Sequence, residues 1–411
     1  MPNSVTKHRR TSVIVALTSV FTLRSRQKPG NTWQVLAVLA WLLPICCTCL
    51  DDRTSDAEEK PASPPLKLFS DQAIRMGVDV VLQTYAPDET RAKAAFAKVW
   101  PRIDELNSIL SDYDPQSEVM RLCASAPHAE FVPISKDLST CLQASVRLAR
   151  ESDGAFDVTI GQLVKQWRRA RRKQSLPTPT QIASARESMG WQNICLSPDG
   201  KMVRLLKPGM QIDFGGIAKG YVAEEALKIL QHEGLPVSAV AVSGDMALGD
   251  APPSPDAASS SPQKSSGWKV LMPIPKFRSP STEVVESSTP LKNPGTANTA
   301  EPDSPVVYLS NCCVSTAGDE FQFLEIDGIR YSHILDPATG MGLTRQIQAT
   351  VMAPHGIDAD GLDTTLCILG HENGARLMQH HPAAAWIVHE LTPEGKVIST
   401  PNAGFKKLMD R

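Results

Sequence analysis

The chain is poor in aromatic residues, 5% of its 411 positions, and has no excess of either charge: 42 Lys and Arg against 44 Asp and Glu give a formal net charge of −2. That balance excludes the broad positive field with which nucleic-acid-binding proteins attract their partner, so no nucleic-acid partner is expected. One run departs from it, Arg168-Arg169-Ala170-Arg171-Arg172-Lys173; with nothing aromatic interleaved it reads as a solvated face. No Gly-x-Gly-x-x-Gly and no Gly-x4-Gly-Lys-Ser/Thr occurs, so neither a Rossmann nor a P-loop phosphate site is supported. The six cysteines beyond residue 50 (Cys123, Cys141, Cys195, Cys312, Cys313, Cys367) show no Cys-x-x-Cys spacing and no zinc-type histidine pattern. Five of them sit in apolar contexts and read as buried small hydrophobes.

The first fifty residues read as a leader. Basic residues precede an apolar stretch from Val35 to Ile45, the length of a signal-peptide core and short for a membrane span. Leu43 lies three residues before Cys46, as at a lipoprotein cleavage site, although Pro44 and Ile45 stand where small residues are expected. Export is expected, with a signal or membrane anchor over 1–50 and lipid anchoring left open. Residues 51–66, acidic and Pro-rich, suit a tether, and the folded domain is expected over 67–411.

Within that domain, alternation over Gly77–Tyr85 predicts a strand after another at Leu66–Arg75. Asp88 then reads as the cap of a helix whose apolar positions run from Ala92 to Leu110, with Pro101 expected to kink or split it. Helices follow at Ser135–Glu151, from Pro179, and at Lys219–Glu233, with later ones at Asp360–Leu369 and Glu372–His381. Strands are expected at Val203–Leu206, Ala239–Val242, Lys269–Ile274, Val306–Leu309, Gln348–Met352 and Ala385–Val388. Two Pro/Ser/Thr-rich stretches near 250–267 and 276–305 are too poor in apolar groups to fold alone, and read as long disordered loops flanking one core strand that begins at Trp268. Strands and helices intersperse without βαβ alternation, so the expected class is α+β, mixed sheets with packed helices.

Three segments carry chemistry. Asp213-Phe214-Gly215-Gly216-Ile217-Ala218-Lys219-Gly220 brings an acid, two glycines and a lysine to the start of a helix, where backbone N–H groups favour anions; alone, a double glycine before a helix is more often a tight turn. Tyr331 to Gly340 places His333 and Asp336 at a strand end; His333 suits proton transfer near neutral pH, or a local bond to the turn. Asp358 to Thr365 sets Asp360 and Thr364 four apart, on one face of a helix's N-terminal turn, a hard-oxygen pair suited to Mg²⁺ or Ca²⁺; acids at a helix start also simply oppose the dipole. Two weaker pieces accompany them: Ser111 to Glu118, a turn exposing Tyr113, and Gly154 to Thr159, a helix stop followed by a strand.

In this order, the five segments resemble the FAD:protein FMN transferase (ApbE) family, from about Met76 to the C-terminal strands. The resemblance implies a single T-fold-like catalytic unit, periplasmic or lipid-anchored at the inner membrane, that binds FAD and Mg²⁺. It also implies transfer of FMN to a Thr or Ser of a target flavoprotein subunit, with release of AMP. FAD would lie against Met76, Tyr113, Ala155, Phe156, Asp157, Asp213 and Lys219, with His333 and Leu343 lining the site. Gly216, Asp360 and Thr364 would hold the metal; His333 is the first choice of base, an aspartate of 358–363 the second. Some positions depart from the family: Ser243-Gly244-Asp245 for Gly-Gly-polar, Thr316-Ala317-Gly318 for Thr-Ser-Gly, and Phe321 for tyrosine. FAD hydrolysis to FMN and AMP, and a non-catalytic flavin-binding lipoprotein, are the other readings.

Overall fold

The computed structural model describes residues 65–253, 267–275, 277, 305–318 and 322–410. The expected leader, residues 51–64 of the tether, Phe321 and most of the two insertions lie outside the described residues.

The described chain opens on a hairpin, β1 (Lys67–Arg75) and β2 (Val78–Ala86). Its turn, Met76-Gly77, has φ of +53° and +73°. A two-residue turn that matches the strand twist needs left-handed backbone at both positions, easy for Gly77 and strained for Met76. Helix α1 (Glu89–Leu110) begins where Asp88 accepts a bond from the Arg91 N–H at 2.8 Å, and it buries the expected stripe from Ala92 to Leu110. Contrary to a split, α1 runs continuously through Pro101. Helices α2 (Glu118–Ala124) and α3 (Lys136–Glu151) are capped by Ser117 and Ser135, with strand β3 (Val132–Pro133) between them.

After α3 the expected strand does not form. Asp153 and Gly154 adopt left-handed backbone, and the chain turns instead into α4 (Gly161–Lys173), which carries the basic run. Helix α5 (Pro179–Glu187) starts on a reciprocal cap between Thr178 and Gln181, with Pro179 in its first turn. Strands β4 (Ile194–Leu196) and β5 (Met202–Leu205) join β3 in a small sheet. Helix α6 (Ala218–His232) is closed by left-handed Gly234. Then come β6 (Ser238–Val242), β7 (Asp245–Leu248), β8 (Trp268–Leu271), β9 (Val306–Leu309), β10 (Cys312–Gly318), β11 (Phe323–Ile326), β12 (Ile329–Ser332) and β13 (Ile347–Ala353). Helix α7 (Gly356–Leu377) is broken at Gly370, and β14 (Ala385–Leu391), β15 (Val397–Pro401) and α8 (Ala403–Met409) complete the fold.

The main sheet has eight strands in the order β1-β2-β6-β7-β10-β13-β14-β15, all paired antiparallel. The α+β class stands. One face of the sheet packs against α1, α3, α6 and α7 through a large core that includes Leu82, Phe96, Ile103, Leu230 and Val351. Each such side chain, fully buried, contributes roughly 1.5–3 kcal/mol before entropy is counted. Among the described residues the Trp268 strand pairs with β9 and not with the main sheet, and with α8 it covers the opposite face through Trp268, Ile387 and Phe405. A third core, around Leu163, Trp167, Leu324 and Tyr331, joins α4 and α5 to the β11–β12 hairpin. Of the six described cysteines four are buried and two half-buried.

Helices α6 and α7 cross with their backbones in contact. A Cβ on Gly220 would sit 2.0 Å from the Gly356 carbonyl oxygen and 2.9 Å from Cβ of Asp360. Only glycine permits this approach, and it draws α7 against the start of α6, where the chemical segments meet.

Candidate active site

The glycine turn is built by local bonds. Asp213 donates its N–H to the Val158 carbonyl at 2.8 Å, and its Oδ1 accepts the Gly215 N–H at 2.7 Å, which folds the chain back over two glycines. Helix α6 then starts with no side-chain cap at Ile217. The Gly220 N–H in its first turn is taken at 2.9 Å by Oδ2 of Asp360, a carboxylate from α7. Gly216 lies directly against Thr364: a Cβ there would come within 3.2 Å of the Thr364 Oγ1. Gly216, Asp360 and Thr364 are thus brought together, as are Asp360 and Lys219, whose Nζ stands 3.4 Å from Asp360 Oδ1. Helix α7 begins at Gly356, so Asp360 lies on its second turn and not at the N-terminal turn expected from the sequence.

Two further buried carboxylates surround this point. Lys219 Nζ pairs with Asp245 Oδ2 at 2.8 Å, and the Ser315 hydroxyl lies between Asp245 and Asp363, bonded to both. A hydroxyl has one proton, so it cannot donate to two ionised carboxylates at once; one of the pair must carry a proton of its own. The electrostatics agree. Burial first, then the neighbouring Asp245, raises the pKa of Asp360 to about 7, and burial with repulsion from Asp360 pushes Asp363 well above the carboxylate range. Burial opposes the charge on Lys219, but Asp245 and Asp360 outweigh it and hold its pKa above the ordinary value. Oδ1 of Asp363 is buried and has no hydrogen-bond partner among the described residues. Three carboxylates facing one ammonium form a cluster short of positive charge. Among the described residues no group of three or more His, Cys, Asp or Glu is arranged to cage a metal; the donors gathered here are a carboxylate, a hydroxyl and the backbone at Gly216.

A second wall comes from α4. Tyr113 is 76% exposed, and the Arg168 guanidinium lies 4.0 Å from its ring centroid. Arg168 also bonds Asp112 and reaches Asp213 Oδ2 at 3.2 Å. Burial, with repulsion from Asp112, raises Asp213 to about 6; Arg168 and the Gly215 N–H act against the rise. The basic run, read from sequence as solvated, therefore contributes Arg168 to the site. Helical spacing of Leu163, Trp167 and Ala170 was the overlooked signal: it fixes α4 in the third core and turns Arg168 toward the glycine turn.

His333 follows β12, held between backbone bonds in which Ser332 N–H donates to Leu343 O (2.8 Å) and Leu343 N–H to Ile334 O (3.0 Å). Leu343 is thus the immediate neighbour of His333. The His333 side chain is exposed, yet protein atoms crowd the ring, and this desolvation lowers its pKa to about 4, the Gln322 carbonyl opposing and the positive Arg171 and Lys219 adding to it. Exposure and pKa together give an accessible ring that is neutral at pH 7. Nδ1 is 3.1 Å from the Gln322 carbonyl oxygen, which can only accept, so Nδ1 carries the proton and Nε2 presents its lone pair.

The Ala155–Asp157 segment is placed differently. Phe156 is buried in the main core, and both Asp157 oxygens are spent locally, on the Thr159 N–H and hydroxyl and on the Trp191 N–H. That leaves the backbone and the half-buried Ala155 methyl as the parts of this segment open to a ligand. Met76 is half-buried against the main core at its hairpin tip. That tip lies at the same end of the sheet as the Ser243-Gly244 turn, where the Ser243 N–H bonds the Asp79 carbonyl at 2.9 Å.

The chain is similar to known proteins in sequence and in fold. A Klebsiella pneumoniae protein named FAD:protein FMN transferase is 26% identical over 342 residues, covering 81% of this chain and 87% of its own. A Treponema pallidum protein of the same name is 27% identical over 296 residues, covering 70% and 75%. In fold, the apo flavinyl transferase ApbE of Pseudomonas stutzeri superposes with a TM-score of 0.67 at 24% identity, over 84% of this chain and 98% of its own. The sequence pattern of the ApbE family matches residues 76–387, from the hairpin tip to the strand after α7, and this chain belongs to the ApbE family.

Proposed function

We propose that this enzyme moves the FMN half of FAD to a Thr or Ser hydroxyl of a target flavoprotein, in a Mg²⁺-dependent reaction that releases AMP. The observation that carries the reading is the meeting of Gly216, Asp360, Thr364 and Lys219 at the Asp213–Gly220 turn. The donor chemistry fits a hard cation: a carboxylate, a hydroxyl and a carbonyl, in a cluster with more buried carboxylate than ammonium and one unpartnered carboxylate oxygen. Asp360, Thr364 and the Gly216 carbonyl would hold Mg²⁺, which when bound offers Lewis-acid stabilisation of diphosphate oxygens.

The chain's own residues supply the rest. Tyr113, backed by Arg168, offers an exposed aromatic face to the flavin ring. Lys219 and the start of α6 place positive potential beside the diphosphate. In the reaction an oxygen–phosphorus bond forms from the acceptor hydroxyl to the FMN phosphorus, the bond from that phosphorus to the bridging oxygen breaks, and the oxygen leaves on AMP. The acceptor's proton passes to Nε2 of His333, the accessible neutral base. The aspartates of 358–363 are less available: Asp358 is paired with Arg147, Asp360 holds the Gly220 N–H, and Asp363 is buried against Ser315. The leader over 1–50 supports placing this activity outside the cytoplasm, anchored at the membrane.

Incubation with FAD, Mg²⁺ and a Thr-bearing target domain, with every product weighed by mass spectrometry, tests the reading. A target heavier by FMN supports transfer; free FMN and AMP alone would point to hydrolysis, and unchanged FAD to a carrier. His333→Ala is expected to lower kcat by about 10²–10⁴-fold; an unaltered kcat across pH would reduce His333 to a binding residue.

A further inference from the structure

Helix α4 has a second surface beyond the one it turns to Tyr113 and Asp213. Lys165, Arg168, Arg169 and Arg172 follow the i, i+3, i+4, i+7 spacing of a single helical stripe. It lies opposite the buried Leu163, Trp167 and Ala170. No acidic residue occurs anywhere on α4. Lys165, Arg169 and Arg172 are exposed, as is Lys173 beyond them, and none forms an ion pair with a described residue; Lys165 bonds only the Gln211 amide oxygen. Positive charge is crowded here: Arg171 has its pKa lowered by burial and by repulsion from Arg168. Basic residues in a last turn complement the helix dipole, which accounts for Arg171 to Lys173 but not for Lys165 and Arg169 in earlier turns. In a chain of net charge −2 the stripe reflects no global excess either.

The stripe begins at the chemistry. Arg168, its inner member, touches Asp213, the first residue of the glycine turn. From Lys165 to Arg172 it runs about 10 Å, at ~1.5 Å per helical residue, the length of about three residues of extended chain. An acceptor protein must bring one hydroxyl to that turn, and α4 borders it through Arg168.

We infer that the α4 stripe is the docking surface for the acceptor protein and fits an acidic segment flanking the hydroxyl that receives FMN. The inference rests on the transfer reading proposed above. Such a surface speeds encounter and fixes register, and its contribution weakens as salt rises.

The test compares two synthetic peptides, each with a single Thr, one flanked by Asp and Glu and the other by Asn and Gln at the same places. FMN transfer from FAD is measured at low and high salt with the wild-type chain and with the triple variant Lys165→Glu, Arg169→Glu, Arg172→Glu. These side chains are exposed, and the variant's thermal midpoint and KM for FAD report that fold and flavin site are intact. The wild type should favour the acidic peptide by about tenfold in KM at low salt, the preference shrinking at high salt. The triple variant should lose or reverse that preference with kcat and the KM for FAD unchanged. Equal KM values for the two peptides in the wild type, or equal losses for both in the variant, overturn the inference. If the variant retains the acidic preference but no longer binds phosphatidylglycerol vesicles that the wild type binds, the stripe is a membrane surface and the inference fails. A wild type that splits FAD but labels neither peptide overturns the transfer reading itself, a separate result.

Discussion

Helix α6 meets two charge clusters of opposite character, one partly exposed and one buried. Near its middle, Arg102 bonds Asp137, Glu105 and Glu225, while the Tyr221 hydroxyl donates to Asp137 at 2.6 Å. Burial alone would raise Asp137, but the Arg102 and Tyr221 bonds prevail and its pKa is lowered. One turn earlier Lys219 faces Asp245, Asp360 and Asp363, and there the pKa of Asp360 and Asp363 is raised. Both clusters pair acids with bases. In the first the carboxylate is better satisfied than it is in water; in the second the acids are held against their own repulsion. A cluster of the first kind stabilises a fold. The second makes sense where a ligand supplies the missing charge, and it is the one beside the glycine turn.

The sharpest way to break this contrast is to neutralise one acid in each cluster. Asp360→Asn should reduce Mg²⁺-dependent transfer on the order of 10³-fold, as expected for loss of a ligand to a charge-stabilising metal, and should leave the thermal midpoint unchanged or higher. Asp137→Asn should do the reverse, leaving kcat within error and destabilising the fold by about 1–2 kcal/mol, because Arg102 loses one charged partner while keeping Glu225 and Glu105. Transfer assays and thermal melts on both variants decide it. A melting loss in Asp360→Asn comparable to that in Asp137→Asn would remove the distinction.

The same contrast appears in pH. Asp137, depressed in the folded state, stabilises above its unfolded pKa of about 4, and that contribution is lost as pH falls through its lower folded value. Asp360 has the opposite sign. With a folded pKa of about 7 it binds its proton more tightly folded than unfolded, so the metal-free protein gains stability as pH falls from about 7 toward 4. Calorimetry of the metal-free chain should show a midpoint that rises on acidification over that window. Saturating Mg²⁺ should flatten the rise, because a ligand that binds only the folded state stabilises it most where the carboxylates are charged. A midpoint that falls steadily below pH 7 without metal would contradict the raised pKa.

How much of this was legible in the sequence follows from the range of each interaction. The hairpin, α1 with its Asp88 cap, α3, the Thr178-Pro179 start of α5 and strands β6, β13 and β14 were readable because their signals are local: alternation, 3.6-residue periodicity and capping side chains; β7 and β10, between β6 and β13 in the sheet, were not among the expected strands. The metal-type trio was readable as two separate segments. Their meeting was not, because it depends on the α6–α7 contact at Gly220 and Gly356, residues 136 positions apart whose pairing leaves no periodic trace. The Asp245–Ser315–Asp363 contacts also join distant strands and a helix. Trp268 misled in a different way: its strand was recognised, but a buried Trp fits either face of a sheet, and it packs in the second core.

Arg168 is the residue where the sequence reading and the fold differ most, and it supports the smallest expected effect. In sequence it stands among five other positive or neutral neighbours with nothing to set it apart. In the fold it alone of the run reaches Asp112 and Asp213 while its guanidinium lies under Tyr113. Arg168→Met keeps the aliphatic stem and removes the charge. Tyr113 then loses its cation partner, worth about 0.5–1 kcal/mol at an exposed site, and Asp213 loses the one side chain that opposes its raised pKa. The expected result is a KM for FAD higher by about three- to tenfold with kcat nearly unchanged, since neither group touches the bond that breaks. Arg168→Lys should recover part of the loss, because an ammonium can satisfy one carboxylate but cannot fork to two while lying flat against a ring. A fall in kcat with KM unaltered would instead place Arg168 in the reaction itself and move the functional cluster's boundary out to α4.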